Sequence, residues 1–559
     1  MFSKRLVARI ARAKTPKVSR GSRGLSSSRY VSPTISLKSR VSLALVSCTL
    51  SALAVAWSNE SVDLDSQAPG VPVEEVEKHN SVENGVLVVI NGKVYNLTEF
   101  LTRHPGGAKI ILKYAGKDAL AIFNKFHTPN FVDKYLTPEE CLGPLIGEME
   151  VAPDVTEAGD DTQRLENIKN KPPISEVFRV SDFEYIARKI LPPTAWCYYS
   201  SGADDEISLR ENHNAFSRIF FKPRVLVDVS SVDVSTIMMG EATEVPFYCS
   251  AAAQAKLGHP DGELSIARGC GKEGVIQMIS NYSSYPLEDI VDAASKGQPQ
   301  WFQLYVTDHE SARESVDECN ELGLKSIFVT VDTPELGRRE KDMKLRAQIL
   351  AQMDDSDESA DSQESLDLGS SVVYGRDTAV TWKDINEITN WTDIPVAVKG
   401  VQSVEDVVLA AENGVKAVVI SNHGGRQLDY ARAPIEVLAD TIPVLKEKGL
   451  DDKIEIYIDG GVRRGSDIIK CLALGAKGVG LGRIFLYANA AYGEEGVRKA
   501  CEMLKEEIKL DMRLLGVSKI SELGPQHLDL RNLYSRNPPA DNLYNNNYEP
   551  LSPPAFKSE

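Results

Sequence analysis

His423 and Arg426 stand on either side of a Gly-Gly pair in "SNHGGRQLD" (421–429), directly after the apolar run "VKAVVI" (415–420). An imidazole can take up a proton near neutral pH, and a guanidinium can grip a carboxylate through two parallel hydrogen bonds. The small residues around them leave both heads uncovered, whereas a structural core histidine would have bulky apolar neighbours. Asp332, Lys399, Asp459 and Arg483 repeat the placement, each at or just past the end of an apolar or β-branched run. A single polar residue at the end of a strand carries little meaning. The same arrangement on five strands marks a face where chemistry is assembled.

Two further turns are rich in glycine and arginine: "DGGVRRG" (459–465) and "GLGR" (480–483). Backbone N–H groups in such turns, backed by a cation, suit a phosphate. No G-x-G-x-x-G opens a helix ahead of a downstream acid, which argues against a nicotinamide cofactor. Nearer the N-terminus, "RHPGG" (103–107) sets His104 in a turn where backbone can approach a flat ligand closely, and His127 follows in "NKFHTPN". Two neutral imidazoles on opposite faces of an iron porphyrin would give a six-coordinate haem, suited to electron transfer.

These residues need elements to hold them. Eight short runs rich in β-branched and aromatic residues recur at "VPFYCSA" (245–251), "VIQMIS" (275–280), "WFQLYV" (301–306), "SIFVTVD" (326–332), "IPVAVKG" (394–400), "AVVISN" (417–422), "IEIYIDGG" (454–461) and "GVGLGR" (478–483). Most gaps between them fit one helix. Alternation of this kind predicts an α/β fold, a (β/α)8 barrel over about 176–530, with its polar residues at the C-terminal rim where the loops converge. Such barrels commonly hold a phosphate at their last two strands, where the two Gly-Arg turns lie.

Ahead of the barrel, "GVLVVINGKVYNL" (85–97) reads as a hairpin around an Asn-Gly turn and opens a small α+β module over 76–150. A Pro-, Gly- and acid-rich linker is expected over 151–175. The run "DDSDESADSQESLD" (354–367) holds seven acids and no base, and predicts a mobile loop over about 342–378. A Pro- and Asn-rich tail is expected to extend over 531–559.

Charge is unevenly spread. Residues 1–59 contain eleven Lys and Arg and no acid, so the chain's net −17 leaves −28 on the other 500 residues. A body so acidic repels nucleic acid and attracts basic partners. An Arg- and Ser-rich, acid-free start followed by the apolar "VSLALVSCTLSALAVAW" (41–57) predicts a mitochondrial presequence over 1–75, with sorting to the intermembrane space. The eight cysteines show no C-x-x-C or other short ligand spacing.

The stretches "YYSSGADDE" (198–206), "QLYV" (303–306), "VDTPELGRRE" (331–340), "VKG" (398–400), "SNHGGRQLD" and "DGGVRRG" together resemble the FMN-dependent enzymes that oxidise L-2-hydroxy acids, and 75–150 resembles cytochrome b5. The combination implies oxidation of L-lactate to pyruvate, with electrons passing from FMN through haem b to cytochrome c, in a homotetramer. His104 and His127 would be axial ligands. His423 would be the base, Asp332 its partner, and Arg426 with Tyr198 the holders of the substrate carboxylate. Tyr305 would bond the substrate oxygen and Arg339 would add a second cation. Ser280, Gln303, Thr330 and Lys399 would meet the flavin ring, and Asp459, Gly460, Gly461, Arg463, Gly482 and Arg483 the ribityl phosphate. Some positions depart from the pattern: Leu87 where a Trp is common, Tyr282 where a Leu is typical, Ile484 where a Pro is usual. The segment "SAAAQAKLGHPDGE" (250–263) leans toward glycolate oxidases. Two alternatives remain at this point, an oxidase or dehydrogenase of another L-2-hydroxy acid, and a haem electron carrier on a non-catalytic barrel.

Overall fold

The computed structural model describes residues 70–536, except 103, 105–107, 127–131, 133–135, 153–160 and 355–378. The expected presequence through 69, His127, the bulk of the acidic run and the tail beyond 536 lie outside the described residues.

The small module is a five-stranded sheet of β1 (Val71–Pro72), β2 (Asn80–Ser81), β3 (Gly85–Ile90), β4 (Lys93–Asn96) and β5 (Cys141–Ile146), in the order β1-β5-β4-β3-β2. β3 and β4 pair antiparallel around Asn91 and Gly92, both at positive φ, as a tight Asn-Gly turn requires. Successive side chains of β3 point to opposite faces. Val86, Val88 and Ile90 join a core with Leu101, Ile111 and Ile122 from the helical side, while Leu87 and Val89 pack with Val76 and Val94 on the other face. Leu87 therefore sits in a different core from the one on which Phe100, the ring neighbour of His104, packs, and a branched aliphatic fills that place. Val71 pairs with Leu145 and Pro72 with Ile146, so 71–75 belongs to this module rather than to the presequence expected to reach 75.

The barrel comprises β6 (Phe247–Cys249), β7 (Ile276–Ser280), β8 (Gln300–Leu304), β9 (Ser326–Thr330), β10 (Val396–Val401), β11 (Ala417–Ile420), β12 (Glu455–Asp459) and β13 (Gly478–Leu481). All eight are parallel and paired in chain order. Val479 opposite Phe247 closes the ring. Six strands each fall inside one of the eight apolar runs, and the other two overrun theirs by one residue, Gln300 and Val401. The interior is filled by Tyr248, Trp301, Phe328 and Tyr457, whose rings meet edge-on or tilted, with Met238 and Met278. The barrel is thus a packed post.

Three expected irregular segments contain ordered structure. Thr162–Lys169, within the expected linker, is a helix, and Asn167 Nδ2 and Arg164 Nη1 donate to the Lys189 and Ile190 carbonyls at the end of the next helix. The loop expected from 342 begins as a helix, Glu340–Asp354. Its residues up to 353 mix bases with good helix formers, Lys341 pairs with Glu206 at 3.5 Å, and the uninterrupted acids start only at 354. At the C-terminal end Leu533 is fully buried and its carbonyl accepts from Arg218 Nε, so the tail starts by packing on its own chain. Among the described residues no helix is long and apolar enough to cross a membrane.

Candidate active site

Strand register sets the site. Ser280 lies opposite Gln303, Thr330 opposite Lys399, and Asp459 opposite Gly480, so residues far apart in sequence become neighbours around the rim. They line one open cavity with about 1390 Å3 of atom-free space, together with Tyr198, Tyr282, Tyr305, Arg339, His423 and Arg426. Gly460, Gly461, Arg463, Gly482 and Arg483 line it too. Every expected barrel-site residue except Asp332 is in that wall, and Asp332 stands directly behind it.

His423 Nδ1 lies 2.9 Å from Asp332 Oδ1. With a carboxylate as acceptor, Nδ1 carries the proton and Nε2 is the basic atom. Burial lowers the pKa of His423 below the ordinary histidine range, and Lys399 and Arg339 add to this, against the Asp332 carboxylate that raises it. The imidazole is therefore neutral at pH 7 and ready to accept a proton. His423 adopts a left-handed backbone, φ 56°, at a cost of about 1–3 kcal/mol. Its turn is held by a reciprocal amide pair, Asn422 with Asn212, both bonds 2.7 Å, and by Gly425 N–H donating to Asn422 Oδ1.

Two glycines are needed for close approach. At Gly400 (φ 106°) a Cβ would stand 2.5 Å from Asp332 Cγ, so only glycine lets β10 pass the carboxylate that orients His423. At Gly425 (φ 75°) a Cβ would meet the Leu209 backbone N at 2.5 Å. The Gly-Gly pair thus does more than uncover two side chains. It also presses the turn against the helix Ile207–Ser217.

Cations crowd one side. Arg426 Nη1 donates to the Tyr198 and Ser201 carbonyls, at 2.7 and 3.0 Å, and its head lies 5.2 Å from the Tyr198 ring centre. Burial, then Arg339 and Arg483, push the Arg426 pKa down to about 9. Arg339 Nε is buried with no hydrogen-bond partner. Three guanidinium groups held this close make a strong site for an anion. Arg483 donates to the carbonyls of Tyr199, Gly424 and Ser201, which braces the His423 turn from behind. Arg463 pairs with the buried Glu184, from the helix Val180–Ile190.

On the opposite wall Lys399 is buried 3.6 Å from Asp459. Burial opposes its charge, but Asp459 and Asp332 outweigh that and raise its pKa, so it is a fixed cation. Gln303 Nε2, Thr330 Oγ1 and Asp459 Oδ1 are buried without hydrogen-bond partners on this wall. A donor amide, a hydroxyl and a carboxylate oxygen left this way each cost about 1–3 kcal/mol unless a ligand meets them. A flat heterocycle edged with N–H and C=O groups answers all three, and the residues present fit FMN.

Sequence reasoning passed over Gln427, although it stands within "SNHGGRQLD". Its Nε2 donates to the Asp332 and Glu335 carbonyls and its Oε1 accepts from Gly337 N–H, which ties the loop carrying Asp332 and Arg339 to the His423 turn. An uncharged amide next to a catalytic pair gave no signal by type. In the small module His104 is partly exposed, with its ring 5.9 Å from Phe100. Phe100, Ile110, Leu112 and Phe123 remain partly exposed beside the core there, an apolar surface suited to a porphyrin.

A rim of this composition on an eight-stranded barrel defines a flavin-dependent dehydrogenase. Residues 187–530 match the family model for FMN-dependent dehydrogenase, and 72–146 match the cytochrome b5-like heme/steroid binding domain. The chain belongs to the FMN-dependent dehydrogenase family, carries a cytochrome b5-like domain in front, and uses FMN and haem as cofactors. It is 52% identical over 487 residues to L-lactate dehydrogenase (cytochrome) of Wickerhamomyces anomalus, covering 87% of this chain and 84% of that protein. The protein of that description from Saccharomyces cerevisiae is 50% identical, over 90% of this chain and 88% of its own length. Among solved structures, a mutant flavocytochrome b2 with pyruvate bound is 50% identical, with a TM-score of 0.63, covering 72% of this chain and 100% of that one.

Proposed function

We propose that this dehydrogenase oxidises L-lactate to pyruvate and delivers the electrons to cytochrome c. The observation that carries the reading is the neutral His423 imidazole paired with the Asp332 carboxylate beside the Arg426 and Arg339 heads, on a wall whose unpartnered polar atoms suit FMN. FMN supplies a two-electron acceptor when bound, and haem a one-electron relay to an outside protein. Arg426, its Nη1 already anchored, offers the rest of its fork to the lactate carboxylate, and Tyr198 adds a hydroxyl. Tyr305 donates to the substrate oxygen. His423 Nε2 takes a proton from the substrate, and Asp332 stabilises the imidazolium that results. Lys399 holds positive charge beside the flavin wall, where negative charge grows during reduction. Arg463, Arg483 and the Gly460–Gly461 and Gly482 turns are the proposed phosphate cradle, and His104 and His127 the haem ligands.

The net −28 outside the N-terminal segment favours a basic acceptor protein, so cytochrome c reduction should slow as salt is raised. Phe220, Val225 and Leu226 expose apolar side chains in one stretch, which supports burial against further copies of the chain in a tetramer. Light scattering tests that assembly. The acid-free start followed by 41–57 supports location in the mitochondrial intermembrane space, and subfractionation of mitochondria tests it. The central experiment is an anaerobic absorption spectrum before and after adding L-lactate. Reduced flavin and then reduced haem bands are expected. Unchanged haem bands would overturn the relay, and peroxide formation in place of stoichiometric cytochrome c reduction would mark an oxidase.

A further inference from the structure

The segment "HPDGE" (259–263) ends in an acid that the reaction does not use. Glu263 is the second residue of the helix Gly262–Lys272 and only 3% of it is exposed. Its Oε1 accepts from two backbone N–H groups, Ala255 and Ser284, each at 2.9 Å. Its Oε2 is buried with no hydrogen-bond partner. Burial raises its pKa, against the pull of the Ser284 and Ala255 bonds. A side chain kept merely to fill space would not be an acid with one oxygen left bare.

The two N–H groups belong to different loops of the active-site wall. Ala255 is in the loop after β6, which lines the cavity with Ala251, Ala252 and Ala253. Ser284 is in the loop after β7, which carries Tyr282. Lighter bonds join the loops to each other: Gln254 N–H to the Tyr282 carbonyl at 3.3 Å, and Lys256 N–H to Ser284 Oγ at 3.2 Å. Gln254 itself is left-handed, φ 57°, a conformation that needs outside support. The helix that carries Glu263 is pinned at its start, since the Gly262 carbonyl accepts from Ser265 and Asn489. Glu263 is thus a fixed post to which two loops are tied by one atom. Tyr282 in turn lies stacked on Tyr305, with ring centres 5.2 Å apart and planes 28° apart.

We propose that Glu263 is a positioning residue for 2-hydroxy acid oxidation: it sets the Tyr282–Tyr305 stack, and through it the size of substrate the cavity accepts. The inference rests on the reading of the barrel as an L-2-hydroxy acid dehydrogenase. Glu263 touches no substrate. Its oxygen fixes where the Tyr282 ring stands, and the ring limits both the room beyond the substrate and the tilt of the Tyr305 phenol.

The test uses the full-length holoenzyme with ferricyanide as acceptor, and measures kcat and KM for L-lactate and L-mandelate. Glu263→Asp keeps the acid but retracts the oxygen by one methylene. It should lower the preference for lactate over mandelate about 10-fold, with KM for lactate rising more than kcat falls. Glu263→Gln keeps the acceptor in place and should stay within about 3-fold of wild type. In a Tyr282→Ala background Glu263→Asp should change the ratio less than about 2-fold, because the effect runs through Tyr282. An unchanged ratio in Glu263→Asp overturns the proposal, and so does the same change in both backgrounds. Loss of flavin absorbance or of fold in Glu263→Asp also counts against it, since that marks support of the fold alone. A wild type that fails to oxidise lactate would sink only the substrate assignment. The ratio is then taken on two 2-hydroxy acids that it does oxidise.

Discussion

The barrel rim and the haem module solve the same problem, holding a flat cofactor, with different means. Around the rim Ser280, Gln303, Thr330, Lys399 and Asp459 sit at or near the ends of strands that are paired on both sides, in a barrel filled by Trp301, Tyr248, Phe328 and Tyr457. The haem module has a sheet only five strands wide and two small cores, and His104, the proposed ligand, lies outside its strands. Preorganisation in the barrel comes from the scaffold. In the small module much of it must come from the haem itself.

The largest expected effect tests whether the two regions are separable. His104→Ala should abolish haem binding and cytochrome c reduction, while lactate still reduces FMN with ferricyanide as acceptor. Loss of both activities would mean that the haem module also supports the barrel site. Next in size, His423→Gln should lower lactate oxidation by roughly 10²–10⁴-fold with both cofactors retained. Residual activity within about threefold of wild type would remove His423 as the base.

A pH profile sharpens the rim's side of the comparison. The His423 pKa is lowered, so kcat/KM should stay level as pH falls to the ordinary histidine range and drop only below it. Asp332 raises that pKa, hence Asp332→Asn should move the acid limb lower still while kcat falls by about 10²-fold or more. An acid limb that moves upward would contradict the pairing. The smallest effect concerns specificity. Tyr282 lines the cavity and stacks on Tyr305, so Tyr282→Gly should shift preference from lactate toward mandelate by roughly 10–200-fold. Equal kcat/KM ratios in the two proteins would show that Tyr282 does not gate the cavity.

Much of the fold could be read in advance because its signals are local. Eight apolar runs of strand length mark β6–β13, Asn91-Gly92 marks the hairpin, and His423, Asp332, Lys399 and Asp459 stand out as polar groups at strand ends. Segment boundaries were less legible. The acids that mark the loop begin only at 354, and the stretch before them forms the helix Glu340–Asp354. Similarly, Pro and acid near 151–175 hid the helix Thr162–Lys169, which gains stability from contacts with a later helix.

Residue type and period by themselves marked the eight barrel strands and the polar groups at their ends, His423, Asp332, Lys399, Asp459 and Arg483. Tyr198, Tyr305, Arg339, Ser280, Gln303 and Thr330 were reached only through the resemblance to the family. Tertiary structure alone decided what holds them. Gln427 reaches the Asp332 carbonyl across 95 residues, Asn212 pairs with Asn422 across 210, and Arg463 meets Glu184 across 279. Such partners carry no periodicity and no fixed spacing, since loop closure over these distances is set by the packing of the whole barrel. Glu263 belongs with them: an ordinary surface-type acid in the sequence, it becomes a buried post only when the loops after β6 and β7 close around one of its oxygens.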